Sequence, residues 1–298
     1  LPPSVMSIRT LFAPWILHTG LAPDATVSGH MGKLIAFSLE SAGMPVVKGG
    51  SYELVEAFKK LIEDHGGSIT CGVDVDQILV RKGRATGVST TDGQKFGSLK
   101  GVICNVTPTQ LYGRLLNKQL IDKSILKSAS QFRYGRADMQ IHLALDSPPQ
   151  WIDPALNAVP MIHVTEGLAS ISKSISEADS GQLPAQPTIV VGQPTAVDPS
   201  RAPEGKSILW LQLQELPKSV LSDATGEISI PKGGEWTEAL RESYADRVID
   251  RLSAVIPELK TQILHRTVLS PRDLEELNMN LVGGDPYSGD CSFDQNFL

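Results

Sequence analysis

The chain has 298 residues, enough for one large domain or two moderate ones, and its 41% apolar and 20% charged residues are ordinary for a globular protein. A net charge of −6 with no dense run of Lys or Arg excludes a general nucleic-acid surface, which needs clustered cations against the phosphates. Three cysteines, Cys71, Cys104 and Cys291, are odd in number, far apart and without a C-x-x-C pair. They exclude a disulfide framework and a cysteine zinc site and point to a reducing compartment, the cytoplasm or the mitochondrial matrix.

From the N-terminus, Ser4 to Leu17 carries apolar residues at helical spacing, Val5, Ile8, Leu11, Phe12, Trp15 and Ile16. Met31 to Ser41 reads as a second helix with Leu34, Ile35 and Leu39 on one side, stopped by Ala42-Gly43-Met44-Pro45. Tyr52 to His65 is the clearest helix: Leu54, Val55, Phe58, Leu61 and Ile62 form one face, and Gly66-Gly67 supplies the turn that ends it. Short strands are expected at Ser68 to Cys71, Val75 to Val80 and Ala85 to Thr90, with a hairpin turn at Thr91-Asp92-Gly93-Gln94. Val102 to Asn105 reads as an apolar strand of the kind buried on both faces of a parallel sheet.

Beyond Pro108 the pattern changes. Ala137 to Asp146 alternates, with Met139, Ile141, Leu143 and Leu145 on one side and Gln140, His142 and Asp146 on the other, as in a half-buried antiparallel strand. Met161 to Thr165, Thr188 to Gln193 and Ser207 to Glu215 are further strands. The Gln residues of Ile208-Leu209-Trp210-Leu211-Gln212-Leu213-Gln214 imply a face that is wet or lines a cavity. Trp236 to Ile256 is a helix with a stripe of Leu240, Tyr244, Val248, Leu252 and Val255. Both ends, Leu1-Pro2-Pro3 and Gln295-Asn296-Phe297-Leu298, read as interior sequence of something longer, and no run reaches the roughly 18 apolar residues that cross a bilayer.

The order of elements from Val46 to Pro108, with Gly49-Gly50-Ser51, Gly66-Gly67, Val73-Asp74-Val75, Gly83-Arg84-Ala85-Thr86-Gly87-Val88, Asp92-Gly93 and Asn105-Val106-Thr107-Pro108, resembles the phytoene dehydrogenase-like FAD-dependent oxidoreductases, which include carotenoid desaturases and retinol saturase. Asp198 to Gly205, Tyr244 to Val248 and Asn280 to Asp285 also fit, so the similarity covers nearly the whole chain in family order. The resemblance implies an α/β, mixed helix-and-sheet fold: a partial Rossmann-like FAD domain interleaved with an antiparallel-sheet substrate domain. The expected segments are 1–45 (substrate-domain helices), 46–108 (part of the FAD domain), 109–270 (substrate domain) and 271–298 (return towards the FAD domain).

It also implies FAD as cofactor and hydride transfer between flavin and an apolar, isoprenoid-like small molecule, with peripheral membrane contact and no nucleic acid. The family's glycine fingerprint, G-x-G-x-x-G, and its closing flavin segment are absent from these residues, so weak FAD binding by this chain alone is expected. Val75 matches the family's strand-start residue whose own N–H and C=O answer an adenine edge; the plain alternative is a strand valine. Gly49 and Gly50 would let backbone approach a flat ring, or simply form a helix-entry turn. Asn105, Thr107 and Pro108 leave a strand at its carboxyl end, where ligands gather in open α/β sheets, or form a crossover loop.

No catalytic base is evident, and no metal is expected, because the six histidines show no metal-ligand spacing. His18 and His30 lie in loop-like sequence that the resemblance places near the substrate side, the plain alternative being surface residues, and Asp285, Asp290 and Asp294 read as solvated. Two other classes stay open: a truncated binding or assembly module, including a lipid- or isoprenoid-binding one, and an amine-oxidase-like flavoenzyme, which the 5% aromatic content disfavours.

Overall fold

The structure, a computed structural model, describes residues 3–296; Leu1, Pro2, Phe297 and Leu298, part of the two interior-like ends, lie outside it. Three helices come first, α1 (Pro3–Leu17), α2 (Ser28–Ala42) and α3 (Tyr52–Asp64). An antiparallel meander follows, β1 (Val75–Arg81), β2 (Arg84–Thr90) and β3 (Lys95–Gly97). Lys82 and Gly83 both take positive φ between β1 and β2, which matches the tight turn to the strands' twist. Two helices complete this region, α4 (Pro108–Gln110) and α5 (Lys123–Gln131), the latter capped by Asp122.

The remaining elements are β4 (Ala137–Leu145), β5 (Met161–Val164), α6 (Leu168–Asp179), β6 (Gln182–Leu183), β7 (Ile189–Gly192) and β8 (Ser207–Leu216). They continue with β9 (Ser222–Asp223), α7 (Glu238–Ser253), α8 (Leu259–Gln262), β10 (Ile263–Leu269) and α9 (Pro271–Leu277). A five-stranded antiparallel sheet has the order β10-β4-β8-β7-β5. Its alternation puts Met139, Ile141, Leu143 and Leu145 of β4 and Leu209, Leu211 and Leu213 of β8 into one buried cluster. The stripe of α7 fills the same cluster with Leu240, Tyr244, Val248 and Leu252. Thr237 starts α7 by accepting a hydrogen bond from the Leu240 N–H, and a Ser270–Asp273 capping box starts α9. Truncating one of these leucines, Leu211 for instance, removes its burial and leaves a cavity, at a cost of about 2–5 kcal/mol.

The chain divides into two compact units, residues 1–54 with 135–298, and residues 55–134. Thr109 Oγ1 lies 2.5 Å from the Tyr134 hydroxyl, a contact within the smaller unit, which runs on to residue 134. Residues 271–298 belong to the larger unit, where buried Asp285 accepts from the Gly135 N–H at 2.7 Å.

Two expected strands do not form. Ser68 to Cys71 and Val102 to Asn105 are irregular, and Ile103 is 99% exposed. A strand needs another alongside to satisfy its N–H and C=O groups, and among the described residues none lies beside them. For the same reason α3 buries none of its residues, although its apolar face is as regular as the sequence indicated. Of the region expected to be part of a dinucleotide-binding domain, the described residues form the helix and the meander, without a parallel sheet. The helices α5 and α6 and the strand β10 were not apparent from the sequence.

Candidate functional site

The face of the five-stranded sheet opposite α7 is polar. Antiparallel partners share a face, so Gln140, Gln212, Val190 and His163 form one row across β4, β8, β7 and β5. The next row is His142, Trp210, Gly192 and Met161. Gly192 has a steric reason: a Cβ there would lie 2.0 Å from Trp210 Cε2, so the indole lies over bare backbone.

At one end of this face stands Asp138, 2% exposed. Its Oδ2 accepts from Gln212 Nε2 at 2.6 Å and Gln140 Nε2 at 3.2 Å, while Oδ1 has no partner among the described residues. Burial pushes its carboxyl up to about 7, against those hydrogen bonds. On β8, Gln214 Nε2 donates to the Tyr287 hydroxyl at 3.0 Å, and that hydroxyl donates to the Leu17 carbonyl at 2.7 Å. The buried Gln214 Oε1 has no partner among the described residues.

Gln214 Nε2 also meets His18 Nδ1 at 3.4 Å, and His18 Nε2 lies 2.8 Å from His163 Nε2. With the amide donating, His18 Nδ1 is the acceptor, its proton sits on Nε2, and that N–H donates to His163. Trp15 packs edge-on against His163 with ring centroids 4.7 Å apart. Burial lowers both imidazoles, and the charge of His18 adds to burial in bringing His163 down to about 4. The pair is thus neutral near pH 7 and can share one proton but not two. His18, rather than lying at the surface, is drawn in by α1, whose Ala13, Ile16 and Leu17 are buried. Burial likewise raises the Tyr287 hydroxyl.

The arrangement is a buried set of donors and acceptors in which the histidines are neutral near pH 7 and Asp138 is the one group that can carry charge, suited to hold and orient a largely neutral molecule. Among the described residues no three His, Cys, Asp or Glu side chains group so as to hold a metal ion.

The residues expected at the cofactor fall in both units. In the larger, Gly49 and Gly50 take φ of 81° and 118° in the turn that enters α3, where the Gly50 carbonyl accepts from the Glu53 N–H. The Gly49 N–H donates to Asp198 Oδ2 at 2.8 Å, and Arg201 reaches from the same segment to the Val47 carbonyl. Hydrogen bonds from Ser200, then Gly49, hold the Asp198 carboxyl down at about 2. In the smaller unit, Thr107 is buried as the N-cap of α4 with Pro108 following it, and Asn105 is exposed.

Val75 opens β1, an edge strand. The Thr91 N–H donates to the Asp74 carbonyl, so the Asp74 carbonyl faces β2 and the next residue, Val75, turns its own groups outward. There Arg114 Nη1 donates to the Val75 carbonyl at 3.0 Å, which leaves one lone pair for another donor. An outward N–H beside an outward C=O fits the adenine part of FAD. No residue here supplies the glycine-rich cradle its pyrophosphate needs, so the residues present fit the adenine end alone.

Sequence reading missed His18, His163, Asp138, Gln214 and Tyr287 as a group. Alternation in β4 and the glutamines of β8 did mark the polar face, but His18 and His163 lie 145 positions apart. Asp285, expected in solvent, is fully buried: its Oδ1 accepts from the Tyr287 N–H at 2.8 Å, which sets the hydroxyl of that tyrosine in place.

No family model matches the chain. Pyridine nucleotide-disulfide oxidoreductase domain-containing protein 2 of Mus musculus is 28% identical over 263 residues, 85% of this chain and 43% of the relative. A zeta-carotene-forming phytoene desaturase of Myxococcus xanthus is 25% identical over 65% of this chain and 35% of its own length. A 4,4'-diapophytoene desaturase of Staphylococcus aureus is 22% identical over 90% of this chain and 51% of its own. The solved structure of an oxidoreductase from Methanosarcina mazei shares the fold, with TM-score 0.53 and 17% identity over 89% of this chain and 52% of that one. The chain is similar in sequence to pyridine nucleotide-disulfide oxidoreductase domain-containing protein 2 and to carotenoid desaturases, and spans 35–51% of the length of these curated relatives.

Proposed function

We propose that this chain is the substrate-binding part, with a portion of the cofactor-binding part, of an FAD-dependent oxidoreductase that dehydrogenates or saturates an apolar, isoprenoid-like molecule. The observation that carries the reading is the polar sheet face, an array of Gln, His and Asp side chains without a fixed cation on an otherwise apolar scaffold. Such an array orients a neutral substrate without demanding a counter-ion. FAD, when bound, supplies the hydride chemistry; the protein supplies orientation and exclusion of water. Val75 is the residue proposed for the adenine edge, and Gly49, Gly50, Asn105, Thr107 and Pro108 for the remainder of the cofactor surface. In this reading Gln214 and Tyr287 position His18, and the His18–His163 pair fixes one wall of the substrate chamber. Leu11, Leu34 and Phe37, each at least half exposed on α1 and α2, support a peripheral membrane contact through which an apolar substrate would arrive.

Protein expressed from the complete gene is expected to purify yellow with stoichiometric FAD. Anaerobic addition of an apolar polyene is expected to bleach it. A colourless protein that takes up no FAD would overturn the reading and favour a binding or assembly module. These 298 residues alone are expected to bind FAD weakly, measured by titration and visible absorbance. A tight yellow complex would show that residues of this chain hold the pyrophosphate without a glycine-rich cradle.

A further inference from the structure

Between α1, α2 and the start of α6 lies a groove of about 530 Å³, within the range that takes small-molecule ligands. Its floor is apolar, built from Phe12, Ile16, Ala36 and Leu168. Gly29 and Gly32 leave the α2 wall open: a Cβ on Gly29 would meet nothing within 4 Å. The groove follows α1 from Ile8 to Ile16, a run of about 12 Å at 1.5 Å per residue.

The charges around it have one sign. Among the described residues, Arg9 and Lys33 are its only charged lining residues, and no carboxylate lines it. Among the described residues neither cation makes an ion pair, and neither belongs to those with unprinted partners. Leu168, at the groove, is the first residue of α6, a helix of 12 residues whose N-cap, Gly167, offers no side-chain acceptor. The helix start therefore adds to the positive potential of the two side chains.

We propose that this groove binds a free long-chain carboxylate, a fatty acid, with its hydrocarbon along the α1–α2 floor and its carboxylate between Arg9 and Lys33. A neutral hydrocarbon would leave two cations unpaired beside it, and a cationic amphiphile would be repelled; an anionic head on an apolar tail answers both parts of the lining. The site is separate from the polar sheet face and its occupancy requires no flavin.

Calorimetric titration of the chain with monomeric oleate tests the proposal, with oleyl alcohol and dodecyltrimethylammonium as matched probes. Oleate is expected to bind more tightly than the alcohol by about tenfold or more, and the cation not at all. Arg9→Glu with Lys33→Glu is expected to weaken oleate by about tenfold or more while leaving the alcohol unchanged. Ala36→Phe, which fills the groove, is expected to abolish both, with unchanged circular dichroism showing that the fold is kept. No oleate binding, equal binding of alcohol and acid, or indifference to the charge reversal would overturn the proposal. So would sedimentation with phosphatidylglycerol vesicles that Ala36→Phe leaves intact while oleate binding is lacking, since the positive charge would then serve a membrane surface.

Discussion

Asp138 and the His18–His163 pair respond to pH with opposite signs, and that opposition can be measured. Asp138 titrates at about 7 in the fold against 3.8 without it, so the folded state holds the proton more tightly. Its contribution is complete below pH 3.8 and is lost as pH rises through about 7. Asp138→Asn keeps the acceptor for Gln212 and cannot ionise. Its stability relative to the parent is expected to rise between pH 5 and pH 8, on the order of 2–4 kcal/mol in urea unfolding. A difference independent of pH would show that Asp138 is not protonated in the fold. His163 runs the other way. Its folded value of about 4 lies below the ordinary 6.5, so the neutral pair stabilises the fold above pH 6.5 and loses that contribution as pH falls towards 4. His163→Gln retains an acceptor for the His18 N–H and is expected to reduce the destabilisation between pH 6.5 and pH 4; an unchanged acid limb would place its origin elsewhere.

At the scale of elements, what the sequence made legible was local. Alternation in β4 and β8 fixed which side chains enter the core, and the stripe of α7 named the residues that meet them. What it could not show was which strands find partners. Val102 to Asn105 has the composition of a buried strand and no neighbour, so it stays irregular, while β10, with His265, Arg266 and Thr267 interrupting its apolar residues, forms because β4 offers an open edge. The site was half legible for the same reason: the polar residues of one strand are visible, but not the loop histidine that reaches them.

Strand pairing also explains why Gly192 stands opposite Trp210. Gly192→Ala puts a methyl into the indole, and the expected cost is about 1–3 kcal/mol with a shift in tryptophan emission as Trp210 is displaced. Adding Trp210→Leu is expected to recover most of that loss; no recovery would mean the strain lies in the backbone. A second staple joins β9 to α7. Arg247 Nη1 and Nη2 donate to Asp223 Oδ1 and Oδ2 at 2.6 and 2.7 Å, with only 1% of the Asp223 side chain exposed. Arg247→Met leaves that carboxylate with the Thr225, Glu227 and Ile228 donors but no cation, and a loss of about 3 kcal/mol in unfolding free energy is expected.

For the molecule as a whole, the two units differ in how much holds them. The larger has a continuous core of sheet and α7. In the smaller, the meander and short helices make local contacts, and α3, which begins in one unit and runs into the other, buries nothing along its 13 residues. Phe58 is 58% and Leu61 53% exposed on its apolar face. A helix of that length is marginal in water without tertiary packing, because nucleation costs more than a few turns return. Its amides are therefore expected to exchange with solvent far faster than those of α7, whose release requires global unfolding. Hydrogen exchange read by mass spectrometry on the two peptides compares them directly. Protection of α3 equal to that of α7 would mean that its apolar face is covered in solution, by self-association or by another surface. Fast exchange that slows when the protein is expressed from its complete gene would show that the smaller unit is completed by residues beyond these.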